Sequence, residues 1–349
     1  MQLHRAVLAP ALFLAATVAT GAARADQAHP YQPGPALTEE ANSQDLCESV
    51  PNRIFVATKL GSECVAYTVS KGYEDRREAV FLINGDSQGF ADAADYEASA
   101  QKRTQSVRRS LQKFSDQMHV RYVDVARLGL WGSSGNHRRR MEKRETMILG
   151  AAITLLKQRL GIDTIALAGQ SRGSIIGASL LSLHLRGVKC AALASGALEL
   201  VNFEVAGQSK SRHPLTRAQI SRIAYDPYAH IDAIERDPDR RVFIVGDPQD
   251  KISNFQQELE YTDAVKAAGH HALAIPVKAK DDMHHDSVRF ALRAAAACLN
   301  DAPDDLIVQA VAAMQTERKP VSAAATPDTA IGEIAHLSQP TVINDEGTE

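Results

Sequence analysis

The sequence predicts an α/β protein with a mostly parallel, doubly wound sheet and helices on both faces. Two observations carry this. Short, continuously apolar runs recur along the chain, as strands buried on both faces require, and stretches of helical periodicity alternate with them. Composition agrees: of 349 residues 44% are hydrophobic and 23% charged, which excludes a mostly disordered or fibrous chain. The net charge of −3 gives no global basic field, so no nucleic-acid partner is expected. Aromatic residues make up only 5%, which weighs against a surface of stacked rings for sugars or single strands.

The chain starts with a targeting pattern. His4 and Arg5 precede an apolar, alanine-rich stretch over 6–23, and Ala23-Arg24-Ala25 has the small-x-small form of a signal-peptidase site. Residues 1–25 are therefore expected to be a cleaved signal peptide, with Asp26 opening an exported mature protein, periplasmic or secreted. No later stretch reaches the ~20 apolar residues of a membrane span. Export makes the cysteines informative. Cys47, Cys64, Cys190 and Cys298 all lie in the mature part, and an even count in an oxidising compartment favours two disulfides. Cys47 and Cys64 are sequence neighbours around one strand and are paired here, which leaves Cys190 with Cys298. No cysteine or histidine spacing suggests zinc.

The elements follow in order. Residues 26–48, with Pro30, Pro33 and Pro35, read as an extended arm. Residues 53–58 and 64–70 alternate apolar with β-branched or polar residues around Gly61 and read as two strands joined by a turn. Residues 79–83 and 120–125 are the third and fourth strands. A helix is predicted over 144–160, a strand over 164–168, and a helix over 174–185. Residues 191–194, 241–245 and 272–277 continue as short strands, with helices over 256–268 and 287–299. Residues 198–237 could form a small cap inserted between strands. One domain is expected over 26–319. After Lys319 the composition turns to Ala, Pro, Thr and Ser, so 320–349 is expected to be a disordered tail.

The chemistry centres on Gly169-Gln170-Ser171-Arg172-Gly173, a G-x-S-x-G pattern between a buried strand and a helix. Such a serine sits on a sharp, strained turn that exposes its hydroxyl at a helix N-terminus, and the flanking glycines relieve clashes. A serine hydroxyl needs a base, and the base needs an orienting carboxylate. Both follow in the chain. Asp247 and Asp250 come just after the strand at 241–245, and Asp250 is preferred because a few more loop residues let it turn toward the serine. Asp282-Met283-His284-His285 follows the strand at 272–277. His285 is preferred as base over His284 because it lies closer to the next helix. The Arg172 N–H is one oxyanion donor. The loop Asn84-Gly85-Asp86-Ser87 after the third strand offers a second, from Asp86 or Ser87.

These motifs, Gly169–Gly173, the Asn84-Gly85 turn, and Asp250 and His285 in that order, resemble the α/β-hydrolase family over about 53–299, and more loosely its esterase and prolyl-oligopeptidase-like branches. The resemblance implies that family's fold and hydrolytic activity without a cofactor, on a small-molecule ester or a peptide. Two residues depart from it: Asn84-Gly85 stands where His-Gly is common, and the large cation Arg172 stands beside the nucleophile. A second pattern competes. Gly85-Asp86-Ser87-Gln88-Gly89 resembles the Gly-Asp-Ser start of SGNH hydrolases, and Asp282 with His285 fits their closing Asp-x-x-His. That reading makes Ser87 the nucleophile and leaves the Ser171 turn unexplained. The run His137-Arg138-Arg139-Arg140 reads as a solvated helix start or, with Arg172, as a basic rim, in which case Arg138 and Arg139 bind an anionic substrate. The expectation is an exported serine hydrolase, carboxylesterase rather than peptidase because no propeller domain precedes the catalytic part. A binding protein on a hydrolase scaffold is the non-enzymatic alternative. Oligomeric state is not legible.

Overall fold

A computed structural model describes residues 43–86, 93–140, 142–208 and 214–316. The expected signal peptide, the arm as far as residue 42, and the tail lie outside the described residues. In chain order the elements are α1 (Gln44–Glu48), β1 (Arg53–Thr58), β2 (Gly61–Val69), β3 (Glu78–Ile83), α2 (Ala93–Met118), β4 (Arg121–Val125), α3 (Lys143–Leu160), β5 (Thr164–Gln170), α4 (Arg172–Ser182), β6 (Val188–Ala194), α5 (Leu200–Gly207), α6 (Arg217–Ile223), β7 (Arg241–Gly246), α7 (Phe255–Ala267), β8 (His271–Pro276), α8 (Val288–Leu299) and α9 (Asp304–Thr316).

The strands form one eight-stranded sheet in the order β1-β2-β4-β3-β5-β6-β7-β8. β1 and β2 make an antiparallel hairpin closed at Thr58 and Gly61, and β2 pairs antiparallel with β4. From β4 to β8 every pairing is parallel. The period-2 pleat sends alternate residues to opposite faces. Phe81, Ile83, Val123, Val125, Leu167, Leu193 and Ile244 join α3 and α4 in one buried cluster. Val80, Leu82, Tyr122, Ala166, Ala192, Phe243 and Val245 join α8 and α9 in the other. Both faces are covered, which explains why apolar residues run along these strands with few interruptions.

Two disulfides brace this frame. Cys47–Cys64 holds α1 to β2, and Cys190–Cys298 holds β6 to α8. The first of these corrects the reading of 26–48 as wholly extended. Its last five residues form α1, started by Ser43, whose side chain accepts from the Leu46 N–H.

Two helices carry no expectation from the sequence. α2 is strongly polar, yet Val107, Leu111, Phe114 and Met118 recur at helical spacing and pack on the core. α9 buries Ile307, Val311 and Met314 by the same logic. The run at His137–Arg139 is a single 3₁₀ turn, separate from α3. Between β6 and β7, residues 198–237 hold α5, α6 and a 3₁₀ segment, Tyr228–Ala233. Leu200 of α5 packs on Ile175 of α4 with Ala197, Phe203 and Ala224, and an isolated bridge joins Ala224 to Glu142. Among the described residues, no helix is long and apolar enough to cross a membrane.

Candidate active site

The carboxyl ends of β3, β5, β6 and β7 line up along one edge of the sheet, where Ile83 pairs with Gly169 and Gly169 with Leu193. Loops leaving that edge converge, which is where open parallel sheets place their sites. The strained residue there is Ser171, with φ 54° and ψ −121°, between β5 and α4. Few side chains tolerate this conformation, and its cost persists only where packing enforces it. The packing is visible at Gly173, where a Cβ would meet the Ile83 carbonyl oxygen at 1.9 Å. The Ser171 N–H donates to the Ala194 carbonyl at 2.8 Å and fixes the turn to β6. Ser171 itself is half-buried, whereas most of its neighbours in the turn are buried.

Arg172 opens α4, so its backbone N–H is one of the helix-start donors without an intrahelical acceptor. Gly85 comes so close that a Cβ on it would lie 2.9 Å from the Ser171 Cβ. The loop after β3 therefore stands directly over the serine. The Asp86 carboxylate of that loop is ion-paired to Arg127 and to Arg140 Nε at 2.9 Å, and His137 Nε2 lies 3.8 Å away. Burial raises the Asp86 pKa, but Arg127, Arg172, His137 and Arg140 together outweigh it and hold the carboxyl well below the usual range. Burial, and after it Arg127, pushes His137 down to about 3, so that imidazole is neutral. Ser87 lies outside the described residues.

The loops after β7 and β8 supply two parallel histidine–aspartate pairs. His285 Nδ1 bonds Asp250 Oδ2 at 2.8 Å, and the two side chains are only 5% and 2% exposed. Asp250 Oδ1 also accepts from the Ile252 and Ser253 N–H groups at 2.7 and 2.9 Å, which anchors the carboxylate. His284 Nδ1 bonds Asp247 Oδ2 at 3.0 Å. Asp247 further accepts from the Gln249 and Ala279 N–H groups, so it organises both loops. His284 has φ 57°, a left-handed conformation that sends these consecutive imidazoles to different carboxylates. The partner of His285 is thus Asp250 and not Asp282, which the competing Asp-x-x-His reading would require. Asp282 offers its carbonyl to Lys251 Nζ.

The residue before the serine has a part that sequence reasoning missed. Gln170 Nε2 donates to the His285 carbonyl at 2.7 Å, and its Oε1 accepts from the Ser287 N–H at 3.2 Å. The serine turn and the histidine loop are thereby stapled together. In the motif Gln170 is a free position, and nothing in the sequence marks it out.

The basic rim takes a different form from the one expected. The exposed Arg139 is bound bidentately by the half-buried Glu142, so it is engaged at the surface, and the Arg138 side chain lies outside the described residues. The arginines at the site are Arg127, Arg140 and Arg172. Arg127 pairs with Glu145 at 2.8 Å as well as with Asp86, and Arg172 pairs with Glu204 of α5. Three guanidinium groups face three carboxylates, Asp86, Glu145 and Glu204, so the cluster has no net charge. A shallow depression of about 350 Å³ lies over Pro248–Gln256; Asp250 lines it, and Ser171 and His285 do not. Among the described residues no cluster of side chains could hold a metal ion.

No protein-family model and no curated protein matches the sequence. Solved structures do. Est1E from Butyrivibrio proteoclasticus, with ferulic acid bound, superposes with a TM-score of 0.51 at 12% identity, over 68% of this chain and 95% of that one. A second structure of Est1E gives 0.50 at 12% identity, over 72% and 98%. An alpha-beta serine hydrolase homologue from Coxiella burnetii aligns at 14% identity with a TM-score of 0.42, over 74% and 97%. With its eight-stranded, mostly parallel sheet, helices on both faces and the turn at Ser171, the chain has the α/β-hydrolase fold.

Proposed function

We propose that the protein is a serine hydrolase that cleaves carboxylic esters through an acyl-enzyme. The observation that carries this reading is the buried His285–Asp250 pair stapled by Gln170 to the strained Ser171 turn. Asp250 accepts the Nδ1 proton of His285 and so leaves Nε2 with a lone pair. Nε2 takes the Ser171 proton as Oγ attacks the ester carbonyl, and the oxyanion that forms is met by the Arg172 N–H and an N–H of the 84–87 loop. The tetrahedral intermediate collapses as His285 returns the proton to the departing alcohol. Water, deprotonated by the same imidazole, then releases the acid. The two disulfides and the amino-terminal targeting pattern support an exported protein, periplasmic or secreted.

A fluorophosphonate probe tests the class. It is expected to label the wild-type protein and Ser87→Ala, and to leave Ser171→Ala unlabelled. Labelling that survives in Ser171→Ala and disappears in Ser87→Ala overturns the assignment. A panel of p-nitrophenyl esters against aminoacyl p-nitroanilides separates ester from peptide-like amide cleavage, and faster turnover of the anilides rejects the esterase reading.

A further inference from the structure

Arg172 is an unusual neighbour for a nucleophile. Its side chain is only 6% exposed and lies between two elements that border the serine. On one side Nη2 is paired to Glu204 of α5. On the other the guanidinium is close enough to the loop after β3 to depress both Asp86 and His137. Its second terminal nitrogen, Nη1, is buried and has no hydrogen-bond partner among the described residues, and the same holds for His137 Nδ1. A buried guanidinium N–H without an acceptor is destabilising. It can also take an anionic acceptor at no further cost of desolvating the arginine. Among the described residues the surroundings do not fill that role. Asp86 is held by Arg127 and Arg140, and Glu204 occupies only Nη2.

We propose that Arg172 is the specificity-determining residue of this site and that its free Nη1 recognises a carboxylate carried by the substrate close to the scissile ester. The reading rests on the serine-hydrolase function proposed above. Recognition works through one unfilled donor in an electrically neutral cluster, not through a basic surface. A charge-assisted hydrogen bond of this kind selects a carboxylate over a neutral group of the same shape. Glu204 competes for the same guanidinium, so it tunes the preference.

Two matched pairs of probes test this. The first compares p-nitrophenyl hydrogen glutarate with p-nitrophenyl valerate, placing the carboxylate on the acyl side. The second compares the butyrate esters of 4-hydroxybenzoate and 4-hydroxybenzamide, placing it on the leaving group. One pair is expected to show kcat/KM about tenfold higher for the anion. Arg172→Met is expected to abolish that ratio, Arg172→Lys to keep part of it, and Glu204→Gln to raise it. Ratios near one in both pairs overturn the proposal, as does a ratio that Arg172→Met and Glu204→Gln leave unchanged. Fluorophosphonate labelling of Ser171 is read in parallel. Labelling with no anionic preference refutes this inference alone, whereas absence of labelling refutes the hydrolase reading and this inference with it.

Discussion

Gln170 and His285 are joined by a hydrogen bond of 2.7 Å from a side-chain amide to a main-chain carbonyl. The same amide takes the Ser287 N–H, so one side chain sets the distance between β5 and the loop that carries His285. The proposed nucleophile and base, Ser171 and His285, come from loops more than a hundred residues apart, and a shift of about 1 Å between them can cost about a hundredfold in rate. Gln170→Ala is therefore expected to lower kcat by roughly 10–100-fold and to slow fluorophosphonate labelling in proportion. It also leaves the His285 carbonyl and the Ser287 N–H unpaired, so a modest fall in melting temperature accompanies it. Unchanged kcat in a folded variant removes Gln170 from the positioning of the base.

The two histidine–aspartate pairs separate by mutation. Asp250→Asn keeps the shape but reverses the hydrogen bond that selects the His285 tautomer, and kcat is expected to fall by about 10⁴-fold. Asp247→Asn and His284→Ala disturb loop packing instead, with expected losses in kcat of about tenfold or less. Steady-state kinetics on one p-nitrophenyl ester decides it. If His284→Ala costs more than His285→Ala, the roles of the pairs are exchanged.

Much of this was legible in the sequence, for physical reasons. Strands buried on both faces announce themselves by largely continuous apolar runs, and the Ser171 turn by glycines with no room for a side chain, Gly173 against Ile83 and Gly169 against Ser174. α2 escaped because most of its 26 residues are polar and, among its described side chains, a single stripe of large apolar residues packs on the core. Residues 44–48 read as coil because five residues carry no periodicity, and it is the disulfide at Cys47 that anchors them. Ser171, Asp250 and His285 can be singled out by their order along the chain, yet the contacts that support them cannot. Gln170, Glu145 and Glu204 act through contacts with residues distant in sequence, and a run such as His137–Arg140 shows its charges but not the carboxylates that neutralise them.

Arg127 is the largest wholly buried polar side chain and bridges Glu145 of α3 to Asp86 above the serine. Removing one member of a buried ion pair strands the other, at a cost of about 3–5 kcal/mol. Arg127→Met is expected to destabilise the protein by that amount in urea unfolding. The double variant Arg127→Met/Glu145→Met should recover much of it by removing the stranded charge. If the double variant is as unstable as the sum of the two single ones, the pair does not act as a unit.

The disulfides close loops of very different length. The cysteines of Cys47–Cys64 are 17 residues apart in sequence and those of Cys190–Cys298 are 108 apart. In the chain-entropy account a cross-link restricts the unfolded chain more as the loop grows, giving about 3 kcal/mol for the short loop and between about 4 and 5 for the long one. Paired Cys→Ala substitutions compared by urea unfolding are expected to rank Cys190/Cys298 as the costlier loss. A larger loss from Cys47/Cys64 rejects loop length as the deciding factor.

Asp286 adds a pH dependence next to His285. Burial raises its carboxyl; the Val288 N–H opposes the rise, Asp281 adds to it, and Arg289 and His285 oppose it, leaving it at about 6. Its folded pKa is thus above the ordinary carboxylate value. Between about pH 4 and 6 the folded protein binds more protons than the unfolded chain, and stability falls as pH rises through that window. Above it the full cost of the buried charge remains, at about 1.4 kcal/mol for every tenfold gain in proton affinity on folding. Asp286→Asn keeps an acceptor for the Val288 N–H and carries no charge. The variant is expected to be more stable than the wild type by about 1–3 kcal/mol near pH 8, and equal to it near pH 4. Urea unfolding at the two pH values measures both differences. A gain of the same size at both would mean that packing, and not the titration of Asp286, is its source.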